Sequence, residues 1–252
     1  MESKKLLLAL SIKYKGEWDK IYTAIEKRED LDEKNVEELA QEYEGRYITM
    51  LDNEYPEILR QSYKPPFVLF YEGNIDLLNS DSKKIALNDK RHTTEFDNQV
   101  VEKLFQDLPQ NIVFIIGGTG QLTKTFVDYS KPVIVVLPYS IDKLEDNGLK
   151  RRILNNGGVI ISEYPNNTEM SEDNCIVRYR IMNALCDKVL IPTSFKQQSG
   201  TTILINMALQ QNKDIIVVPT SPLESEDYAN NKLIGEGAYP VYDSESLNYI
   251  MA

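Results

Sequence analysis

The chain is short of cysteine, of histidine and of positive charge. Cys175 and Cys186 are the two cysteines in 252 residues. Two thiols do not make a disulfide framework, so a reducing cytoplasm is the expected setting. His92 is the single histidine. That leaves too few ligands for a zinc site of the usual Cys/His kind, and one candidate base for any histidine-dependent triad. No metal or cofactor is expected. No apolar run approaches the ~20 residues of a membrane span. The opening Met1–Leu10 has a short apolar run with no small-residue cleavage site behind it, so neither a membrane partner nor a secretory leader is expected. Lys and Arg number 28 against 39 Asp and Glu, a net charge of −11. This argues against a general nucleic-acid coat but leaves room for a local basic pocket.

What is present reads as a globular chain able to bury a substantial core. Residues 1–62 are expected to form a small helical N-terminal domain. Trp18, Ile21, Tyr22 and Ile25 have helical spacing, and Val36 and Leu39 are the apolar side of a run that follows Asp32. Pro56 starts a further turn, and Lys64-Pro65-Pro66 marks the boundary to a second domain, 63–252. There the apolar segments 67–71, 85–87, 112–116, 133–137, 159–161, 189–191 and 215–218 read as strands, with a last one near 239–241. Phe96, Val100, Val101, Leu104 and Phe105 have helical spacing, and 141–156 reads as one helix. Strands apolar on both faces, alternating with helices, predict an α/β fold with an open, mostly parallel sheet wound by helices on both sides.

The segment from Arg178 to Thr202 carries the strongest chemical signal. Arg178 and Arg180 open a short helix, the strand 189–191 follows, then Lys196, then Ser199-Gly200-Thr201 at the start of another helix. Hydroxyls and glycine at a helix start leave backbone N–H groups free to meet an anion, and a strand feeding such a loop is the ligand edge of a parallel sheet. The same Ser199 and Thr201 also serve as plain helix caps. Residues two apart on a regular helix point about 200° apart. Either the segment is extended there or one of the two arginines is structural; the expectation is that Arg178 reaches a ligand and Arg180 pairs internally with Glu163. Gly118–Thr125 nearly fits a P-loop but has Thr123 where glycine is needed before Lys124, and the next strand ends in Pro138 instead of an acidic metal ligand.

Taken together, several short motifs resemble the DNA processing protein A (DprA/Smf) family. They are Tyr55-Pro56, Pro65–Asn74, Ser162-Glu163-Tyr164-Pro165, Arg178-Tyr179-Arg180-Ile181, Ser199-Gly200-Thr201, Ala208–Gln211, Val218-Pro219, Asn231–Ile234 and Gly237-Ala238. The resemblance runs from about Tyr55 to Ala238. It implies a Rossmann-like domain that binds single-stranded DNA without sequence preference, forms a homodimer, helps load the RecA recombinase during natural transformation and recombination, and is not an enzyme. Asp89-Lys90-Arg91 stands at the family's Gly-Ser-Arg position. The residues implied in nucleic-acid binding are Arg91, Arg178, Arg180, Lys196, Ser199, Gly200, Thr201 and Lys213, with no catalytic residue. The alternative is a nucleotide-binding or nucleotide-hydrolysing protein. Gly117–Gly120 is similar to the glycine loop of lysine-decarboxylase-like phosphoribohydrolases, and Glu163 would be its acid or base.

Overall fold

Alternate residues along each central strand go to opposite faces of the sheet, and both faces are apolar. The computed structural model describes residues 3–88, 95–105, 108, 111–120, 122–128, 131–193, 200–221 and 229–252. Ile112, Phe114 and Ile116 join one buried cluster with Val133, Val135 and Leu137. Val113, Ile115, Ile134 and Val136 join a second. Period-two packing on both sides requires helices above and below.

The N-terminal part contains α1 (Ser3–Lys13), α2 (Trp18–Glu26), α3 (Glu33–Glu42), β1 (Arg46–Thr49) and α4 (Glu57–Arg60). Then come β2 (Val68–Gly73), β3 (Lys83–Leu87), α5 (Glu95–Phe105), β4 (Ile112–Ile116), α6 (Leu122–Asp128), β5 (Val133–Leu137), α7 (Asn147–Asn155) and β6 (Val159–Ser162). The chain continues through α8 (Glu172–Val177), α9 (Tyr179–Leu185), β7 (Lys188–Ile191), α10 (Gly200–Gln210), β8 (Asp214–Val217), α11 (Ala229–Gly235), β9 (Tyr239–Pro240) and α12 (Ser244–Met251).

Among the described residues the strands form one sheet in the order β1-β2-β6-β5-β4-β3-β7-β8-β9. From β6 through to β9 all neighbours are parallel, while β1 with β2 and β2 with β6 are antiparallel. Helices α1, α2, α5, α6, α7 and α12 cover one face through Leu8, Ile21, Leu104, Phe126, Ile153 and Leu247. Helices α4, α9 and α10 cover the other through Leu59, Met182 and Leu204. The expected α/β architecture, a Rossmann-like and mostly parallel sheet with helices on both faces, is therefore the one observed.

Two local readings differ from the structure. β1 lies inside a stretch read as helical; its four residues form an edge strand in which Ile48 pairs with Leu69. The helix expected over 141–156 is split into a single 3-10 turn, Ile141–Lys143, and α7. The Asp146 side chain accepts from Leu149 N at 2.9 Å, so α7 gets its own N-cap and starts afresh.

The N-terminal helices are docked firmly on the sheet. Trp18 Nε1 donates to Pro65 O at 2.8 Å, and the indole stacks on Phe67 at 5.3 Å between ring centres. Buried Tyr55 donates to Pro66 O at 2.8 Å, and burial pushes its phenol well above the ordinary tyrosine range. Gly16 has φ +74°, and a Cβ there would come within 2.5 Å of Glu163 O.

Two predictions follow from this packing. Gly73 has φ +101°, and an added Cβ would meet Gly158 O at 2.3 Å, a backbone atom that cannot move aside cheaply. Gly73→Ala is expected to destabilise the fold by more than ~1 kcal/mol, read as a lower midpoint in thermal or denaturant unfolding. Burial pushes the Cys186 thiol up to about 12, whereas Cys175 is part-exposed. Under native conditions a thiol reagent is expected to modify Cys175 first and Cys186 only on unfolding.

Candidate functional site

The sheet order fixes where a ligand can sit. From β3 the chain crosses through α5 to β4 on one side, and from β7 it crosses through α10 to β8 on the other. The carboxyl ends of β3 and β7 therefore flank the point where the winding reverses, the usual ligand crevice of an open α/β sheet. Asn88 follows β3, Thr193 follows β7 by two residues, and α10 begins at Gly200.

Donors and acceptors gather at that crevice. Asn88 is 4% exposed; its backbone N–H donates to Leu190 O at 3.1 Å, and its Oδ1 accepts from Thr201 Oγ1 at 3.1 Å. Its Nδ2 has no partner among the described residues, nor do Thr193 Oγ1 and Thr202 Oγ1. Buried polar atoms are rarely left unpaired, so the floor of the crevice carries hydrogen-bonding capacity that the described residues do not use. Tyr179 lies against the start of α10: a Cβ on Gly200 would be 3.2 Å from its hydroxyl.

The two arginines point apart, as a continuous helical backbone requires. Arg178 joins α8 to α9 with φ −59° and ψ −25°, so the helical path is unbroken there. The Arg180 guanidinium pairs with the Glu163 carboxylate, and both are buried. Arg178, expected to reach a ligand, is buried against the glycine loop. It is 4% exposed, and its Nη1 donates to Gly117 O at 2.6 Å and to Thr119 Oγ1 at 3.1 Å. The physical reason is Gly117: a Cβ there would lie 2.5 Å from Arg178 Nη2, so only glycine leaves room for the guanidinium. Arg178 thus holds the glycine loop after β4, and its guanidinium also lies 5.6 Å from the Tyr179 ring centre.

Gly200 and Thr201 lie where the sequence put them, in the first turn of α10. Lys213 does not join them. It precedes β8 at the opposite edge of the sheet, and its Nζ donates to Cys186 O at 2.6 Å. Arg91, Lys196 and Ser199 lie outside the described residues. Asn88, Thr119 and Thr193 were not singled out from the sequence. The position of Asn88, directly between a strand and Asp89-Lys90-Arg91, was the signal that could have found it.

Beside the glycine loop is a cavity of about 440 Å³. Two lysines line it, but Lys124 pairs with Asp146 at 3.0 Å and Lys143 with Glu169 at 2.7 Å. The near-P-loop lysine is thus committed to a carboxylate. No cluster of His, Cys, Asp and Glu suited to a metal ion occurs among the described residues, and no helix there is long and apolar enough to cross a membrane.

Comparison with known proteins agrees with this fold. The DNA processing protein DprA of Streptococcus pneumoniae is 28% identical over 198 residues, covering 76% of this chain and 69% of that protein. DprA of Bacillus subtilis is 27% identical over 213 residues, covering 79% and 69%. The X-ray structure of the Streptococcus pneumoniae protein aligns over 100% of this chain and 94% of that one, with a TM-score of 0.77 and 23% identity. DNA processing protein A of Helicobacter pylori, whose structure is described as showing a unique single-stranded DNA binding mode, aligns over 82% of this chain and 97% of that one, with a TM-score of 0.70 and 24% identity. Residues 46–251 match the family model for DNA recombination-mediator protein A, and the chain belongs to that family, which includes the DprA and Smf proteins.

Proposed function

We propose that this protein is a non-enzymatic accessory factor that binds single-stranded DNA without sequence preference at the crevice between β3 and β7. The observation that supports it best is the winding reversal itself, where α10 opens with Gly200 and Thr201 beside Asn88. Such a helix start suits acceptor-rich phosphates. The first turn of α10, with Gly200 and Thr201, adds backbone and hydroxyl donors. Arg91, Lys196 and Ser199 supply the remaining phosphate contacts in this reading, from segments directly following β3 and β7. Arg178 acts through the glycine loop it holds, Arg180 through its pairing with Glu163, and Lys213 serves the opposite edge. Family membership and the single-stranded DNA binding described for the Helicobacter pylori protein favour the same ligand. The nucleotide-hydrolysing alternative is not favoured, since Glu163, its candidate acid or base, is held by Arg180.

In this reading the protein works as a homodimer in the cytoplasm and passes its strand to the RecA recombinase. The segment before about residue 62, helical apart from β1, is an accessory unit in this reading. A two-fold assembly would double the binding track and raise avidity for a long strand.

A mobility-shift assay with oligo-dT tests the binding. Affinity is expected to fall steeply with salt and to change little with base sequence. High-salt resistance or a preference for duplex would count against this reading. Sedimentation at micromolar concentration is expected to show a dimer, and a persistent monomer would remove the avidity argument. Melting curves paired with binding isotherms separate the two arginines. Arg180→Ala leaves the buried Glu163 charge alone and is expected to cost ~3–5 kcal/mol of stability. Arg178→Ala strips Gly117 O and Thr119 of a charged donor and is expected to cost ~1–3 kcal/mol while also weakening DNA binding well below the melting temperature.

A further inference from the structure

Gly200 opens α10, yet its backbone does not call for glycine. Its φ lies outside the left-handed region, and alanine favours a helix more than glycine does. What the missing side chain leaves is room. A Cβ at Gly200 would stand 3.2 Å from the Tyr179 hydroxyl and 3.9 Å from the ring edge. Gly200 is exposed, so that room is open to solvent.

Tyr179 is anchored at one end and free at the other. Its ring packs against the buried cluster that α9 and α10 share. The Arg178 guanidinium lies 5.6 Å from the ring centre, a cation–π distance, and is itself fixed to Gly117 O. The hydroxyl makes no hydrogen bond among the described residues, and it is not one of their buried atoms left without a partner. It is therefore a solvent-facing group with a proton to donate. It stands at a helix start, where the first N–H groups have no intrahelical acceptor. A hydroxyl and a helix start that meet at one exposed gap suit an anion. We propose that Tyr179 and the first turn of α10 form a phosphate subsite. The hydroxyl donates to a non-bridging oxygen of the strand, backbone N–H groups of the turn meet the same phosphate, and Gly200 lets it come close. The inference rests on the reading that single-stranded DNA occupies the crevice, and names one contact it makes there. The ring is committed to the core and to Arg178, so the hydroxyl end alone reaches the ligand. Arg178 is then a positioning residue, acting on the strand through the Tyr179 ring as well as through the glycine loop.

Two variants of the full chain test the subsite, read by fluorescence anisotropy with labelled strands. Tyr179→Phe removes the hydroxyl and keeps the ring. Gly200→Ala fills the gap and favours the helix. Both are expected to melt no lower than wild type and to bind oligo-dT about tenfold more weakly. A neutral donor releases no counterion, so plots of log affinity against log salt are expected to run parallel for wild type and Tyr179→Phe. An abasic strand of the same length keeps the phosphates and lacks the bases. Tyr179→Phe is expected to lose the same factor on it. Wild-type affinity in either folded variant would overturn the subsite, and so would a lowered melting temperature for Tyr179→Phe, which would make the hydroxyl structural. A loss on oligo-dT with none on the abasic strand would give the hydroxyl to a base and overturn the phosphate assignment. If wild type binds neither strand, the DNA-binding reading itself falls and takes the subsite with it.

Discussion

A buried carboxylate and a buried guanidinium, Glu163 and Arg180, tie the end of β6 to the first turn of α9. Taking both charges out of water costs several kcal/mol per ion, and the pair holds only while its geometry does. That requirement sets the rotation of α9 about its axis. Once Arg180 faces Glu163, a helical backbone sends Arg178 the other way, to Gly117 and Thr119. The glycine loop, the crevice beside it and the seat of the α1–α2 turn on the Glu163 carbonyl all inherit their positions from this contact.

An acidic chain can hold a site for an anionic strand because its charge is compartmented. Lys124 and Lys143, which line the cavity beside the glycine loop, pair with Asp146 and Glu169. In the proposed reading the crevice adds neutral groups fixed by burial to Arg91 and Lys196, with the Asn88 amide oriented through its bond to Thr201. Donors held in a dry setting are stronger than the same groups in water.

Much of this was legible in the sequence, for definable reasons. The central strands are runs of β-branched residues apolar on both faces, which have few alternatives in a chain with helices between them. The crevice was legible because Gly200 and Thr201 open a helix after a strand. Position two apart on a helix correctly assigned Arg180 to Glu163. β1 was missed because Arg46–Thr49 is a short edge strand whose partner is β2, and edge pairing leaves almost no local pattern. The burial of Arg178 was missed because its partner is Gly117, and no spacing rule connects a guanidinium to a carbonyl so distant in the chain. Lys213 looked like a basic residue beside the site but sits at the wrong end of a parallel strand, which motif order cannot reveal.

The antiparallel join between β2 and β6 has a consequence for biogenesis. Phe70 pairs with Ser162, and Gly16 and Trp18 rest on Glu163 and Phe67 on either side of that join. During synthesis β2 emerges long before β6 exists, so its inner edge must wait on the ribosome. The parallel strands β3, β4 and β5 can assemble in the meantime from short crossovers. The amino-terminal helices can seat on Pro65 and Phe67 early but gain their contact with Glu163 only once β6 is made, and a nascent chain stalled before β6 would display an open strand edge to whatever chaperone or neighbouring chain is near.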